Sequence, residues 1–304
     1  MADCRSDIRI RALRQEMNCD MNQPRSTVCL TFDFDAISIW IGPNRSSNSP
    51  SAISRGEFGA IGVERILKLL DRKGIKATFF TPGHTAETYP DSVKAIVAGG
   101  HEIGHHGYLH ENPCALGTRE REELVLLRGL EALDKTAGVR PTGYRSPAWD
   151  NSPHTIELLL EHGFQYESSL MATDFTPYFC RVGDVIQLDG PYLFGARSNL
   201  VEMPVNWLLD DYPHFEFMSW ENKINPGLSA GSKVEEIWKE EFDFMHAETP
   251  TGVMTLTMHP QIIGRGHRML MLERLIDYFA SHDHVQFTTL GAAANAFSRE
   301  EHAT

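Results

Sequence analysis

The chain alternates short apolar runs with longer amphipathic segments, a pattern typical of βα units. The apolar runs predict buried strands at residues 27–34, 76–82, 101–104, 142–147, 164–171, 185–188, 200–207, 252–259 and 285–289. Apolar positions at helical spacing predict helices at residues 56–74, 86–99, 118–138, 151–163, 234–248 and 269–281. About seven parallel βα units in one chain predict an α/β fold, a closed or nearly closed (β/α) barrel, with a doubly wound open sheet as the alternative.

The same pattern predicts a single barrel domain. We place it at residues 26–296, after an N-terminal extension at 1–25 and before a short tail at 297–304. The glycine-rich, irregular stretch 181–199 is expected to form an excursion outside the barrel. Neither GxGxxG nor a P-loop motif occurs in the sequence, so nothing supports a nucleotide site.

Chemically distinctive residues cluster where the predicted strands end, which is where β/α enzymes place their active sites. Asp33 and Asp35 follow the first strand and point to the same side of an extended chain. Two nearby carboxylates are costly unless a cation lies between them. His106 and His110 follow the third strand, and on a helical turn their spacing would place both on one face, suited to a single metal ion.

Two further strand ends carry candidate catalytic residues. Arg145 ends the predicted strand 142–147 and is a candidate partner for a carboxylate. His259 ends the strand 252–259, directly before a proline that holds it in extended backbone. Each residue alone has an ordinary structural explanation, but their convergence at the strand ends favours a metal-dependent active site.

Composition narrows the class of partner. With 28 Lys and Arg against 41 Asp and Glu, the formal net charge is −13, which argues against nucleic acid or an anionic membrane surface as a partner. The five cysteines are widely spaced and form no CxxC pair, so a disulfide framework is not expected. Because the sequence also shows no signal-like or membrane-spanning apolar run, we expect a cytoplasmic protein that acts on a small molecule.

The order and spacing of four motifs resemble the polysaccharide deacetylase family, which includes chitooligosaccharide and peptidoglycan deacetylases (carbohydrate esterase family four). The motifs are TFDFD at residues 31–35, HGYLH at 106–110, RSP at 145–147 and TMH at 257–259. The resemblance covers residues 27–290, almost the whole chain, and implies a distorted (β/α) barrel of the deacetylase homology type.

The resemblance also implies roles for individual residues. Asp33 resembles the catalytic base, Arg145 the arginine that holds it, and His259 the general acid. Asp35, His106 and His110 resemble an Asp-His-His triad for one divalent metal ion, for which Zn²⁺ is expected. The enzyme would then hydrolyse carbon–nitrogen bonds other than peptide bonds, with a backbone N–H near Ala148 assisting the metal at the oxyanion.

Some features depart from the sugar deacetylases and resemble an intracellular subgroup that includes allantoinase-like and cyclic-imide hydrolases. Gly107 stands where many members carry Ser or Thr, and the stretch 202–212 does not match the usual aspartate–tryptophan motif. We therefore expect a small cyclic amide, imide or ureide as substrate, with an amino sugar, chitooligosaccharide or peptidoglycan fragment as the alternative. The subgroup also implies a homo-oligomer, such as a tetramer. The residues expected at the substrate are Trp149, Trp207, Asp210, Asp211 and Tyr212.

Three questions stay open from the sequence. Asp210 or Asp211 could orient His259, or either could be an ordinary loop carboxylate. A dehalogenase-like phosphatase would also carry Asp33 and Asp35 after a strand, but it leaves the three histidines without roles. A metal- or ligand-binding module that has lost catalysis is the non-enzymatic alternative, and the retained Asp33 and His259 argue against it.

Overall fold

A computed structural model describes residues 25–42, 49–220 and 223–303, so most of the predicted N-terminal extension lies outside the described residues. The strands are β1 (Ser26–Asp33), β2 (Thr78–Thr81), β3 (Glu102–His105), β4 (Gly143–Tyr144), β5 (Tyr166–Glu167), β6 (Tyr178–Val182), β7 (Ala196–Glu202), β8 (Met218–Trp220), β9 (Lys223–Asn225), β10 (Gly252–Met258) and β11 (Val285–Phe287). The helices are α1 (Ser38–Ile41), α2 (Pro50–Lys73), α3 (Gly83–Thr88), α4 (Pro90–Ala98), α5 (Pro113–Leu116), α6 (Arg119–Ala137), α7 (Thr155–Glu161), α8 (Asp211–Phe215), α9 (Gly231–Glu248), α10 (Pro260–Ile263), α11 (Gly266–Ala280) and α12 (Leu290–Ala303). Two 3₁₀ turns lie at Pro147–Trp149 and Trp207–Leu209.

The main sheet confirms the predicted parallel barrel. Seven strands run parallel in the order β10-β1-β2-β3-β4-β5-β7, with β11 beside β1 and β6 antiparallel to β7 at the far edge. The sheet curls but stays open between β10 and the β7–β6 edge. After β7 the chain crosses this gap, and Asp210 forms an isolated parallel bridge with Thr257 of β10. That crossing carries residues 203–212 to the carboxyl end of β10.

Local sequence signals explain the longer helices. Ser49 caps α2 by accepting the N–H of Ala52, and the helix ends at Gly74, whose φ of 67° is left-handed. Thr118 caps α6 in the same way and Gly138, with φ 65°, ends it. The main apolar core lies where β1 and β10 meet the buried faces of α2, α9 and α11. None of the helices in the described ranges is long and apolar enough to cross a membrane.

Several predicted boundaries are wrong. The predicted strand 185–188 is absent; Val185 forms only a single bridge with Leu193, in the excursion between β6 and β7. The predicted strand 164–171 shrinks to the two residues of β5, because the N–H groups of Ser169 and Leu170 bond to a glutamate carboxylate instead of to a neighbouring strand. The predicted helix 86–99 is two helices, since Pro90 begins α4 after a break at Tyr89.

The C-terminal region also differs in detail from the sequence pattern. α12 runs from Leu290 to Ala303, so residues 297–303 continue this helix. Its first turn is buried against the sheet, where Gly291 donates its N–H to Glu102.

Candidate active site

The carboxyl ends of β1, β3 and β10 and the loop after β4 border one cavity of about 250 Å³. Its walls combine ionisable side chains with apolar ones. The lining residues are Asp33, Ile39, His106, His110, Ala148, Trp149, Trp207, Asp210, Tyr212, Met218 and His259. Parallel strands thus bring together residues that lie more than 200 positions apart in the chain.

Asp35, His106 and His110 form the predicted three-residue cluster, and its two histidines line this cavity. Asp35 Oδ1 lies 3.4 Å from His106 Nε2 and 3.7 Å from His110 Nε2. His106 Nδ1 lies 2.7 Å from the carbonyl oxygen of Arg145, to which it donates, and this leaves Nε2 facing the cluster. All three side chains are buried.

The loop that carries the two histidines is not helical, contrary to the sequence expectation. Gly107 and His110 have left-handed φ values of 71° and 57°. The Glu111 carboxylate accepts the N–H groups of Tyr108 and Leu109, and this replaces helical hydrogen bonds with a tight loop. The histidines converge because the loop folds back, and not because they share a helix face.

The chemistry of this cluster fits a divalent cation. Both carboxylate oxygens of Asp35 are buried without a hydrogen-bond partner. Burial, reinforced by neighbouring carboxylates, raises the pKa of Asp35 well above its usual value. Burial lowers the pKa of His106 and His110, so both imidazoles are neutral and able to ligate. A cation held by these three residues would balance the negative charge of the ionised Asp35 carboxylate.

Asp33 differs from Asp35 because it has a cationic partner. Arg145 Nη1 donates to Asp33 Oδ1 at 2.8 Å and to Thr31 Oγ1 at 2.9 Å. Burial raises the pKa of Asp33, but Arg145, with the nearby histidines, outweighs burial and holds this pKa below its usual value. The other oxygen, Oδ2, lies 3.8 Å from His106 Nε2, so it faces the cluster.

His259 is held by Asp211, which answers the question of which carboxylate orients it. His259 Nδ1 lies 2.7 Å from Asp211 Oδ1, and the His259 N–H also donates to both Asp211 oxygens. Burial lowers the pKa of His259, but Asp211 and Asp210 outweigh it and raise this pKa to about 10. His259 Nε2 points toward Asp35, 3.7 Å from its Oδ2. A protonated imidazole therefore faces the cavity.

The residues expected at the substrate fall into two groups. Trp149, Trp207, Asp210 and Tyr212 line the cavity, and the Trp149 and Trp207 rings lie 4.3 Å apart. Asp211 does not line it, because this residue is fully buried behind His259. Asp210 accepts the Tyr212 N–H at 2.7 Å and lies 3.7 Å from His259 Nδ1.

Sequence reasoning missed several residues that build the site. Ile39 of α1 and Met218 of β8 line the cavity, and both belong to elements too short to show a periodic pattern. Ser168 contacts Arg145 twice, accepting Nε–H at its carbonyl and Nη2–H at its hydroxyl. A serine after a two-residue strand carries no sequence signal of such a role.

Comparison with known proteins agrees with this arrangement. A family model described as polysaccharide deacetylase matches residues 20–167, which include Asp33, Asp35, His106, His110 and Arg145. The chain is 40% identical over 276 residues to a peptidoglycan deacetylase of Helicobacter pylori, covering 87% of this chain and 94% of that protein. It is 33% identical to the peptidoglycan deacetylase-like protein FGM2 of Gibberella zeae, covering 90% and 86% of the two chains.

Solved structures show the same architecture over nearly the full length. A protein of Mycobacterium smegmatis assigned to the polysaccharide deacetylases superposes with a TM-score of 0.82 at 34% identity, covering 93% of both chains. An allantoinase superposes with a TM-score of 0.73 at 25% identity, covering 94% of this chain and 93% of its own. With its motifs assembled at one cavity and these relatives matched over most of their length, the chain belongs to the polysaccharide deacetylase family.

Proposed function

We propose that this protein is a metal-dependent deacetylase that removes the N-acetyl group from an amino sugar of a peptidoglycan or chitooligosaccharide fragment. The observation that carries the proposal is the placement of Asp33, His259 and the Asp35-His106-His110 cluster around one cavity. The two relatives named for peptidoglycan deacetylation support this substrate class over the cyclic amides that the sequence alone favoured.

Asp35, His106 and His110 would hold one divalent ion, for which we propose Zn²⁺. Two neutral imidazoles and one carboxylate are a donor set typical of catalytic zinc, and three protein ligands leave coordination positions open. When bound, the ion supplies Lewis acidity toward the amide carbonyl and lowers the pKa of water at the site.

The residues of the chain divide the proton transfers between them. Asp33, kept ionised by Arg145, is the base that takes a proton from the attacking water. His259, kept protonated by Asp211, is the acid that donates to the departing nitrogen. Asp33 and His259 lie at the ends of strands β1 and β10, which are hydrogen-bonded neighbours, so base and acid flank the same point.

The Trp149 and Trp207 rings, which lie 4.3 Å apart and are tilted by 33°, give the cavity an aromatic wall. Trp149 is nearly buried, whereas Trp207 is 45% exposed, so only the outer ring offers a large face to solvent. Such a face suits the apolar side of a sugar ring.

A small cyclic amide, imide or ureide is the second candidate. The enclosing wall formed by Tyr212, Met218 and the two tryptophans favours a small substrate, as does the likeness to an allantoinase. Opening a ring would use the same base and acid, since a carbon–nitrogen bond is broken in both reactions.

Substrate profiling separates these candidates. We would measure kcat/KM for N-acetylglucosamine oligomers and peptidoglycan fragments against succinimide, dihydropyrimidines and allantoin, with and without a chelator. We expect acetate release from the oligomers that the chelator abolishes and that Asp33→Asn lacks. Ring opening without acetate release would instead select the cyclic substrates, and no turnover of either set by the zinc-loaded protein would favour an inactive module.

A further inference from the structure

A pair of buried glutamates, neither of which lines the cavity, contacts the loop that holds Arg145. Glu167 ends β5 and Glu202 ends β7, and the two residues are direct partners in the parallel register. Both side chains are fully buried. Like charges directly opposite one another in a sheet are destabilising, so this pair needs a specific physical reason to persist.

A proton on Glu202 would allow the two carboxyl groups to coexist. Burial and the Glu167 charge raise the pKa of Glu202 well above its usual value. Glu167 Oε1 is buried without a hydrogen-bond partner, so a protonated Glu202 could donate to the Glu167 carboxylate. The Cys180 thiol donates to Glu202 Oε2, so the pair is enclosed on that side as well.

The remaining oxygens of the pair hold the loop that follows β5. Glu202 Oε1 accepts the N–H groups of Ser169 at 3.0 Å and Leu170 at 2.9 Å. Glu167 Oε2 accepts the Ser169 N–H at 3.1 Å. These bonds replace the strand pairing that β5 gives up after Glu167, and they fix the backbone of residues 168–170.

This fixed loop is what contacts the arginine. The Ser168 carbonyl oxygen accepts Arg145 Nε–H at 3.0 Å, and Ser168 Oγ accepts Nη2–H at 2.9 Å. Ser169 Oγ accepts the Ser146 N–H at 2.8 Å, so the loop also holds the backbone beside Arg145. With Nε and Nη2 occupied in this way, Nη1 is directed at Asp33.

We propose that Glu167 and Glu202 are positioning residues that hold the Arg145 guanidinium against Asp33 through the loop 168–170. The effect on catalysis rests on the proposed function, because it requires Asp33 to act as the base. The geometric part stands on the hydrogen bonds alone.

The first test is kinetic and uses Glu202→Leu, which removes the acceptor of two N–H groups at similar volume. We expect kcat to fall about 10- to 100-fold, below the full value of a general base, while KM and bound zinc stay unchanged. Glu202→Gln keeps an acceptor for the loop and a donor for Glu167, so we expect it to retain kcat within about threefold.

A double-substitution cycle separates positioning from general destabilisation. If Glu202 acts through Arg145, Glu202→Leu should change kcat by less than about twofold in an Arg145→Ala background. The matched control is Glu122→Leu, since Glu122 is also buried and accepts two hydroxyl hydrogen bonds, from Ser152 and Thr155. We expect it to lower the melting temperature without changing kcat.

The second readout needs no activity. The Arg145 Nε–H resonance, assigned by its loss in Arg145→Lys, should exchange slowly in the wild-type protein and rapidly in Glu202→Leu. Equal exchange rates in both proteins would overturn the proposal. So would a fall in kcat caused by Glu202→Leu that is as large in the Arg145→Ala background as in the wild-type protein. Absence of turnover on every substrate would overturn the proposed function instead, and the exchange measurement would still decide the positioning role.

Discussion

Replacing Asp211 with asparagine should move the pH range in which the enzyme works. Asp211 contacts His259 through a 2.7 Å bond to Nδ1 and two bonds to the backbone N–H. The side chain introduced by Asp211→Asn can keep the shape of these contacts but not the charge. Burial, which lowers the pKa of His259, would then be opposed chiefly by Asp210, whose Oδ1 is 3.7 Å from Nδ1.

The magnitude follows from two independent figures. The rise in the pKa of His259 from 6.5 to about 10 corresponds to about 5 kcal/mol in favour of the protonated form. Two unit charges 4 Å apart in a partly polar protein site attract by about 4 kcal/mol, so one close carboxylate accounts for most of the rise. Without the Asp211 charge, the pKa of His259 should return to its ordinary value or fall below it.

The sign of the effect follows from the role of His259 as an acid. An acid is active below its pKa, so the wild-type enzyme should keep kcat through neutral pH and lose it only in alkaline solution. Asp211→Asn should lose kcat as the pH rises through the ordinary histidine range. With the pKa of His259 back at 6.5, kcat should fall about fourfold at pH 7 and about tenfold further for each pH unit above it, and it should recover on acidification. The assay is the pH profile of kcat for the zinc-loaded enzyme.

Asp210→Asn is the matched control. Its carboxylate is farther from His259 Nδ1 and accepts the Tyr212 N–H, so we expect a smaller displacement of the alkaline limb. If Asp211→Asn and the wild-type enzyme share the same alkaline limb, His259 is not the acid or Asp211 does not set its charge. A shared alkaline limb would refute the reasoning under both explanations.

Further predictions follow from the same contacts. His106→Ala should remove most bound zinc, measured by elemental analysis. Asp33→Asn should keep the zinc and lose at least about 10²-fold in kcat. Zinc retained by a His106→Ala/His110→Ala variant would contradict the ligand set. Trp207→Ala should raise KM for an amino-sugar oligomer about 3- to 10-fold with little effect on kcat, and an unchanged KM would remove Trp207 from the substrate site. The segment 183–195, between β6 and β7, exposes three large apolar side chains, Ile186, Leu188 and Phe194, and Leu188 is 96% exposed. We propose that this segment forms a contact between copies of this chain. Serine at all three positions should lower the mass measured by light scattering, and an unchanged mass would refute that contact.

The parts of the fold that repeat a strong pattern were predictable from the sequence. β1 and β10 have long apolar runs, and α6 has a clear cap and stop residue, so their positions follow closely from the pattern. The end of α2 at Gly74 was predicted, but the helix begins at Pro50 and not at residue 56. β4 and β5 have two residues each, and in them position in the sheet outweighs any local preference. An excursion after β6 was predicted, but residues 185–188 within it were wrongly assigned to a strand, because the apolar side chains there are exposed.

The candidate site was also predictable from the sequence only in part. Residues at strand ends could be found because parallel strands deliver their carboxyl ends to one place. The choice between Asp210 and Asp211 could not be made, because it depends on the single bridge between Asp210 and Thr257 that sets the register of the crossing segment. That register leaves Asp210 lining the cavity and places Asp211 behind His259.

The contrast between Asp33 and Asp35 explains how two carboxylates, two residues apart, take different roles. Both are buried, so burial raises the pKa of each. Of the two carboxylates, only Asp33 is hydrogen-bonded to Arg145, and this guanidinium, with the nearby histidines, reverses the direction of its pKa. Asp35 has the neutral histidines of the cluster and the His259 imidazole 3.7 Å away, and its pKa still stays raised, so a bound cation would stabilise its ionised form further. Removing the Arg145 charge should therefore make the two carboxylates alike. In Arg145→Ala, Asp33 would be free to join Asp35, His106 and His110 as a fourth metal ligand. We expect such a variant to bind zinc at least as tightly as the wild type while losing activity, and weaker zinc binding would show that Arg145 supports the metal site itself.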